Sequence, residues 1–129
     1  MAREYGLRAE LDFGPDGKGL LPVAVQDVST GEVLILAFAN RQALEETRRS
    51  GLATFWSRRR HELWTKGMTS GDTLRVEEIR INCEQNSLLY RVTPQGSGAC
   101  HARRADGTAH TGCFYRRLEA DDSLTLLEE

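Results

Sequence analysis

The sequence predicts an α+β fold: a small single domain, spanning residues 1–129, of mainly antiparallel strands with one or two helices. Three observations carry that reading. The chain has 129 residues, enough for one hydrophobic core and too few for two. Its 40% apolar and 28% charged residues are an ordinary globular balance. Short apolar stretches separated by turn residues recur along it, and one segment has helical spacing.

Each element follows from its own residues. Residues 1–20 are polar and punctuated by Gly14, Gly17 and Gly19, which reads as an N-terminal arm or leading strand. Leu21 to Asp27 reads as a strand, Ser29-Thr30-Gly31 as a turn, and Glu32 to Phe38 as its antiparallel return. Asn40 is placed to cap a helix that carries Ala43 and Leu44 on one side and stops at Ser50-Gly51. Thr54 to Ser57 is a short aromatic strand, with Trp56 expected in the core and His61 in a polar surface turn. Leu74, Val76, Ile79 and Ile81 mark a longer strand whose alternation breaks at Glu77-Glu78, the mark of a bulge. A turn at Glu84-Gln85-Asn86 leads to the strand Leu88 to Val92. Residues 95–112 read as loop, and Phe114-Tyr115 opens a last element before the acidic tail, 118–129.

Composition also excludes function classes. The net charge is −2, with 17 basic and 19 acidic residues, so the chain has no charge excess for binding a nucleic acid polymer. The longest apolar stretch, Val33 to Ala39, falls far short of the roughly 20 residues that span a bilayer. The first residues lack the apolar core of a secretory signal. The expectation is a cytoplasmic protein without a membrane partner.

Two clusters carry chemistry. Cys83, Cys100 and Cys113 are an odd set, which argues against a disulfide framework. His101 follows Cys100 and His110 precedes Cys113, and thiolate with imidazole is the donor set zinc prefers. Three buried thiols that merely fill space are the plain alternative. The second cluster, residues 55–71, combines Trp56 and Trp64 with Arg58, Arg59, Arg60 and the loop Lys66-Gly67-Met68-Thr69-Ser70-Gly71. Backbone amides, hydroxyls and a lysine in such a loop suit a phosphate, and a tryptophan beside it suits a stacked base. A solvated basic turn with its tryptophans in the core is the competing reading. Asp27, at a strand end, is expected at most to pair with a neighbouring arginine.

These segments, taken in order, resemble a known family. Leu21 to Asp27, Thr30 to Asn40, Phe55-Trp-Ser-Arg58, Leu63-Trp64, Lys66 to Gly71, Asn82 to Leu89, Ala99-Cys-His101 and Cys113-Phe-Tyr-Arg116 are similar to phosphoribosyl-AMP cyclohydrolases of histidine biosynthesis. The resemblance implies a homodimeric, zinc-dependent hydrolase that opens the adenine ring of phosphoribosyl-AMP between N1 and C6. It implies zinc on Cys83, Cys100 and Cys113, with sites at the dimer interface. It further implies a phosphorylated purine-type ligand against Trp64, Lys66, Gly67, Thr69, Ser70, Gly71 and Arg58. Catalytic roles would then fall on His101, His110 and Lys66.

The chain departs from the family pattern at the site itself. Where the family carries magnesium-binding aspartates around the first cysteine, this sequence has Asn82, Glu84 and Asn86. Two amides and one longer carboxylate are poor ligands for so hard a cation. Met68 replaces a glutamate, and residues 102–109 lengthen the stretch between the last two cysteines. His101 and His110 thereby compete for one role. The departures leave three further readings open: a paralogue that hydrolyses another purine nucleotide or cyclic amidine, a non-catalytic nucleotide-binding module, or a zinc staple across a dimer.

Overall fold

The computed structural model describes residues 3–128. Eight strands and one α-helix occur among them: β1 Leu21–Asp27, β2 Val33–Ala39, α1 Arg41–Ser50, β3 Thr54–Ser57, β4 Glu62–Thr65, β5 Leu74–Ile81, β6 Leu88–Pro94, β7 Arg116–Leu118 and β8 Leu124–Leu126. A single 3-10 turn, Arg3–Tyr5, precedes them. The domain is α+β, as the sequence predicts.

The main sheet runs in the order β2-β1-β6-β5. β1 sends Leu21, Val23, Val25 and Asp27 inward at the strand period of two. β2 returns beside it, with Val23 opposite Ala37. β5 and β6 form the second antiparallel pair, whose register shifts between Val76 and Glu78 where the alternation breaks. The two hairpins meet through a parallel pair, β1 against β6, which local pattern does not announce. Tyr90, Phe55, Phe13, Leu34 and Val23 are fully buried and form the centre of the core.

The helix forms as its ends dictate. The Asn40 side chain accepts the Ala43 N–H at 2.8 Å, and Gly51 closes the other end in the left-handed region. The Thr47 hydroxyl donates to Ala43 O and is bonded to both backbone groups of Thr54, pinning α1 to β3.

Several local expectations differ from the structure. The arm forms no strand among the described residues. Phe13 is buried, and the Gln85 side chain bonds backbone groups of Arg8 and Glu10. Trp56 is only half-buried, Phe55 taking the core position of that strand. β4 was hidden by its polar composition and pairs with β3 around the turn at His61. Among the described residues Asp27 pairs with no arginine; its carboxylate accepts both the N–H and the hydroxyl of Ser29 at 2.8 Å. The acidic segment is no free tail: β8 pairs with β7, and Glu128 reaches back into the domain. Glu129 lies outside the described residues. No described helix is long and apolar enough to cross a membrane.

Candidate active site

The β3–β4 hairpin delivers the first wall of a cleft. Thr54 stands opposite Thr65, their hydroxyls 2.9 Å apart, and Lys66 N–H donates to Ala53 O one step further. Trp64 pairs with Phe55 in register, ring centroids 5.6 Å apart, yet stays 41% exposed. One face of it is thus braced by the core while part remains open to a ligand. Past Lys66 the chain turns sharply, and Gly71 N–H donates to Gly67 O at 2.8 Å. Gly67 has φ 79°, and a Cβ there would stand 2.1 Å from the carbonyl carbon of Asp72. Only glycine lets the loop close on its own end.

The cysteine segment delivers the second wall. Ala99 N–H donates to Thr111 O, Cys100 N–H to His110 O, and His110 N–H to Ala102 O. Residues 102–109 therefore form a small closed excursion, and the flanking cysteines come together. Cys113 N–H is tied to Leu34 O of β2 at 2.7 Å. The thiols of Cys100 and Cys113 adjoin closely enough to interact, and Cys100 is buried. Desolvation and the neighbouring Cys100 push the Cys113 thiol up to about 11, against the opposing pull of Lys66. The Cys100 sulfur accepts the Ala102 N–H at 3.3 Å.

Between the walls lies a cleft of about 300 Å³, at the small end of the usual range for ligand sites. Trp64, Lys66, Thr69 and Ser70 line one side, and Cys100, His101 and Arg103 the other. Lys66 is buried, and its ammonium acts electrostatically on both Cys113 and Asp72. Asp72 is buried too and accepts the Ser97 N–H at 2.9 Å and the Ser97 hydroxyl at 3.3 Å. Burial raises its carboxyl, but Ser97, Arg103 and Lys66 together hold it below the ordinary range.

Other residues singled out in the sequence stand elsewhere. Gly71 closes the turn without lining the cleft. The Arg58 guanidinium lies 3.9 Å over the Phe38 ring, while Arg60 borders the cleft instead. His110 is buried, stacked on Tyr115 at 3.7 Å, with Nδ1 3.1 Å from Glu128 Oε1. Cys83 is exposed beside Leu7, Arg8 and Ile81, in a separate hollow. Sequence reasoning missed Asp72 and Glu128. Asp72 sits directly after the glycine loop, a faint signal; Glu128 has none, being brought back by the final hairpin.

Comparison with known proteins places this architecture. The family model for phosphoribosyl-AMP cyclohydrolase matches residues 35–115, which hold both walls of the cleft. The chain belongs to the phosphoribosyl-AMP cyclohydrolase family. It is similar to the phosphoribosyl-AMP cyclohydrolase of Desulfatibacillum aliphaticivorans, 48% identical over 93% of this chain and 90% of that one. The Archaeoglobus fulgidus protein of the same name is 51% identical over 88% and 96%. A histidine biosynthesis bifunctional protein of Thermus thermophilus is 53% identical over 80% of this chain and 45% of its own greater length.

Against the metals implied for a cyclohydrolase, the donor sets differ. Two adjacent thiols fit zinc in chemistry. Among the described residues, however, no three His, Cys, Asp or Glu side chains converge on one metal position. Magnesium fits poorly. Asn82 Oδ1 accepts the N–H groups of Asn86 and Ser87, Asn82 Nδ2 donates to Asn86 Oδ1, and Asn86 Nδ2 donates to Glu84. The two amide oxygens that would have to face a cation are engaged inside the turn, which leaves Glu84 as the one charged ligand there.

Proposed function

We propose that this protein hydrolyses phosphoribosyl-AMP, opening the adenine ring between N1 and C6 with the aid of zinc. It is a hydrolase of the carbon–nitrogen bond of a cyclic amidine, in histidine biosynthesis. One observation carries the reading: a single cleft joins the Cys100 thiol, with that of Cys113 next to it, to a histidine, a half-exposed tryptophan and a lysine-glycine-hydroxyl loop. Cys100 and Cys113 would hold the zinc, with a third cysteine, Cys83, supplied across the interface of a cytoplasmic homodimer. When bound, zinc supplies a Lewis acid that brings water to its nucleophilic form near neutral pH.

The chain's own residues do the rest. Trp64, braced by Phe55, offers a face on which the purine stacks. Lys66, Thr69 and Ser70 take a phosphate, with the Asp72 carboxylate acting electrostatically on the lysine. His101, exposed in the cleft next to Cys100, transfers the proton to the leaving nitrogen. His110, buried against Tyr115 and Glu128, braces the cysteine segment. No step passes through magnesium.

The near full-length identity to relatives named for this activity supports histidine-pathway turnover over a paralogue or a binding module. Turnover decides. Zinc-loaded protein is expected to convert phosphoribosyl-AMP to the opened imidazole product without magnesium, followed by absorbance. No conversion by zinc-containing protein would sink the reading and point to another purine nucleotide. Cys100→Ser is expected to lose bound zinc and activity together, and a metal-free, fully active variant would overturn the zinc part.

A further inference from the structure

We propose that Arg103, on the excursion between the last two cysteines, is a phosphate-binding residue of this cleft, held in place by the buried Asp72 carboxylate. The inference rests on the cyclohydrolase reading and adds one contact to it.

Residues 103 and 104 are adjacent arginines with opposite surroundings. Arg103 pairs with Ala109 in an isolated bridge, an extended geometry that sends neighbouring side chains to opposite faces. Arg104 turns into the protein: it donates to Ala109 O at 2.6 Å and Thr111 Oγ1 at 2.9 Å, and pairs with Glu128 at 3.1 Å. Its donors are committed to holding the excursion closed. Arg103 turns to the cleft. Its side chain is 46% exposed, and its one described partner is Asp72, at a loose 3.7 Å. Most of its N–H fork is therefore free for a ligand.

Asp72 is suited to aim it. The carboxylate is locked by Ser97, and a Cβ on Gly96 would fall 2.1 Å from its Oδ1, so the backbone closes on it from that side as well. It cannot swing out to follow a ligand. Arg60, Lys66 and Arg103 together outnumber this one carboxylate at the cleft, leaving the cleft cationic and receptive to anions. Phosphoribosyl-AMP carries two phosphate monoesters. The Lys66 loop accommodates one; Arg103, on the opposite wall, presents a planar donor fork to the other.

Steady-state kinetics of wild-type protein, Arg103→Ala and Arg103→Lys with phosphoribosyl-AMP test this, with thermal melting as the folding control. Arg103→Ala is expected to raise KM roughly tenfold or more with kcat within about threefold, and Arg103→Lys to recover part of the loss. Added salt is expected to raise KM more steeply for wild type than for Arg103→Ala. An unchanged KM in Arg103→Ala would overturn the assignment while wild-type turnover left the cyclohydrolase reading standing. Should the wild type bind but not convert phosphoribosyl-AMP, the parent reading fails, and calorimetry decides Arg103. Weaker binding by Arg103→Ala upholds its role; equal binding, or none by wild type, overturns it.

Discussion

His101 and His110 stand nine positions apart, and their surroundings assign them different work. The first is exposed in the cleft beside the buried Cys100; the second is buried, stacked on Tyr115 and bonded to Glu128. Proton transfer needs a ring that reaches substrate and exchanges protons freely. His101→Ala is therefore expected to lower kcat about 10²–10⁴-fold at unchanged zinc content. His110→Ala is expected to lower the melting temperature before it lowers kcat. A kcat loss in the His110 variant as large as in the His101 variant, at unchanged melting temperature, would reverse the assignment. Gly67 is equally decided by its surroundings. In Gly67→Ala the new Cβ meets Asp72 backbone at 2.1 Å, and positive φ adds strain. A loss of about 1–3 kcal/mol in urea unfolding is expected, with a raised KM because the loop carries Lys66.

At the scale of elements, the C-terminal hairpin is the part that sequence pattern reads least well. Its strands are three residues each and largely exposed, and its charge pattern is that of a solvated tail. The returning chain nevertheless places Glu128 on the N–H and hydroxyl of Thr111, on His110 and on Arg104. Partial burial raises its carboxyl, but these four contacts together outweigh burial and bring it to about 2. A depressed carboxyl stabilises the fold above its ordinary value, about 4.5, and loses that contribution as pH falls toward 2. Since the side chain is about 30% exposed, solvent screening reduces the effect to about 1–2 kcal/mol. Glu128→Gln is expected to be less stable than wild type by that amount at pH 6 and equal to it near pH 2, read by urea titration. A deficit that persists undiminished at acid pH would mean that shape, not charge, ties the hairpin down.

At the scale of the whole molecule, the proposed zinc set is divided. Cys100 lines the cleft with the Cys113 thiol next to it, while Cys83 stands in another hollow. Exposed apolar side chains occur near Cys83, at Leu7 and Ile81, and on the C-terminal hairpin, at Leu118, Leu124 and Leu126. Such surface is what association of two copies would cover. If each site takes Cys83 from one protomer and the pair from the other, Cys83→Ser and Cys113→Ser are each inactive. Mixed and re-associated, they rebuild one intact site per heterodimer, and about a quarter of wild-type activity is expected to return. No recovery in a verified heterodimer would place all ligands within one chain.

The elements were largely legible in the residues, because caps, turns and alternation act over a few positions. Asn40 and Gly51 bound the helix, the break at Glu77-Glu78 became a register shift, and Leu21, Val23 and Val25 face the core. The family was legible too, because the glycine loop and the segments around the cysteines carry its motifs in order. Tertiary structure alone decided what those residues meet. The parallel β1–β6 pair, the closed excursion that unites Cys100 with Cys113, the buried Asp72 between two cations and the return of Glu128 all join segments far apart in the chain. Local pattern specifies backbone conformation at each point; which side chains share a cleft depends on long-range packing, and that packing separates His101 from His110.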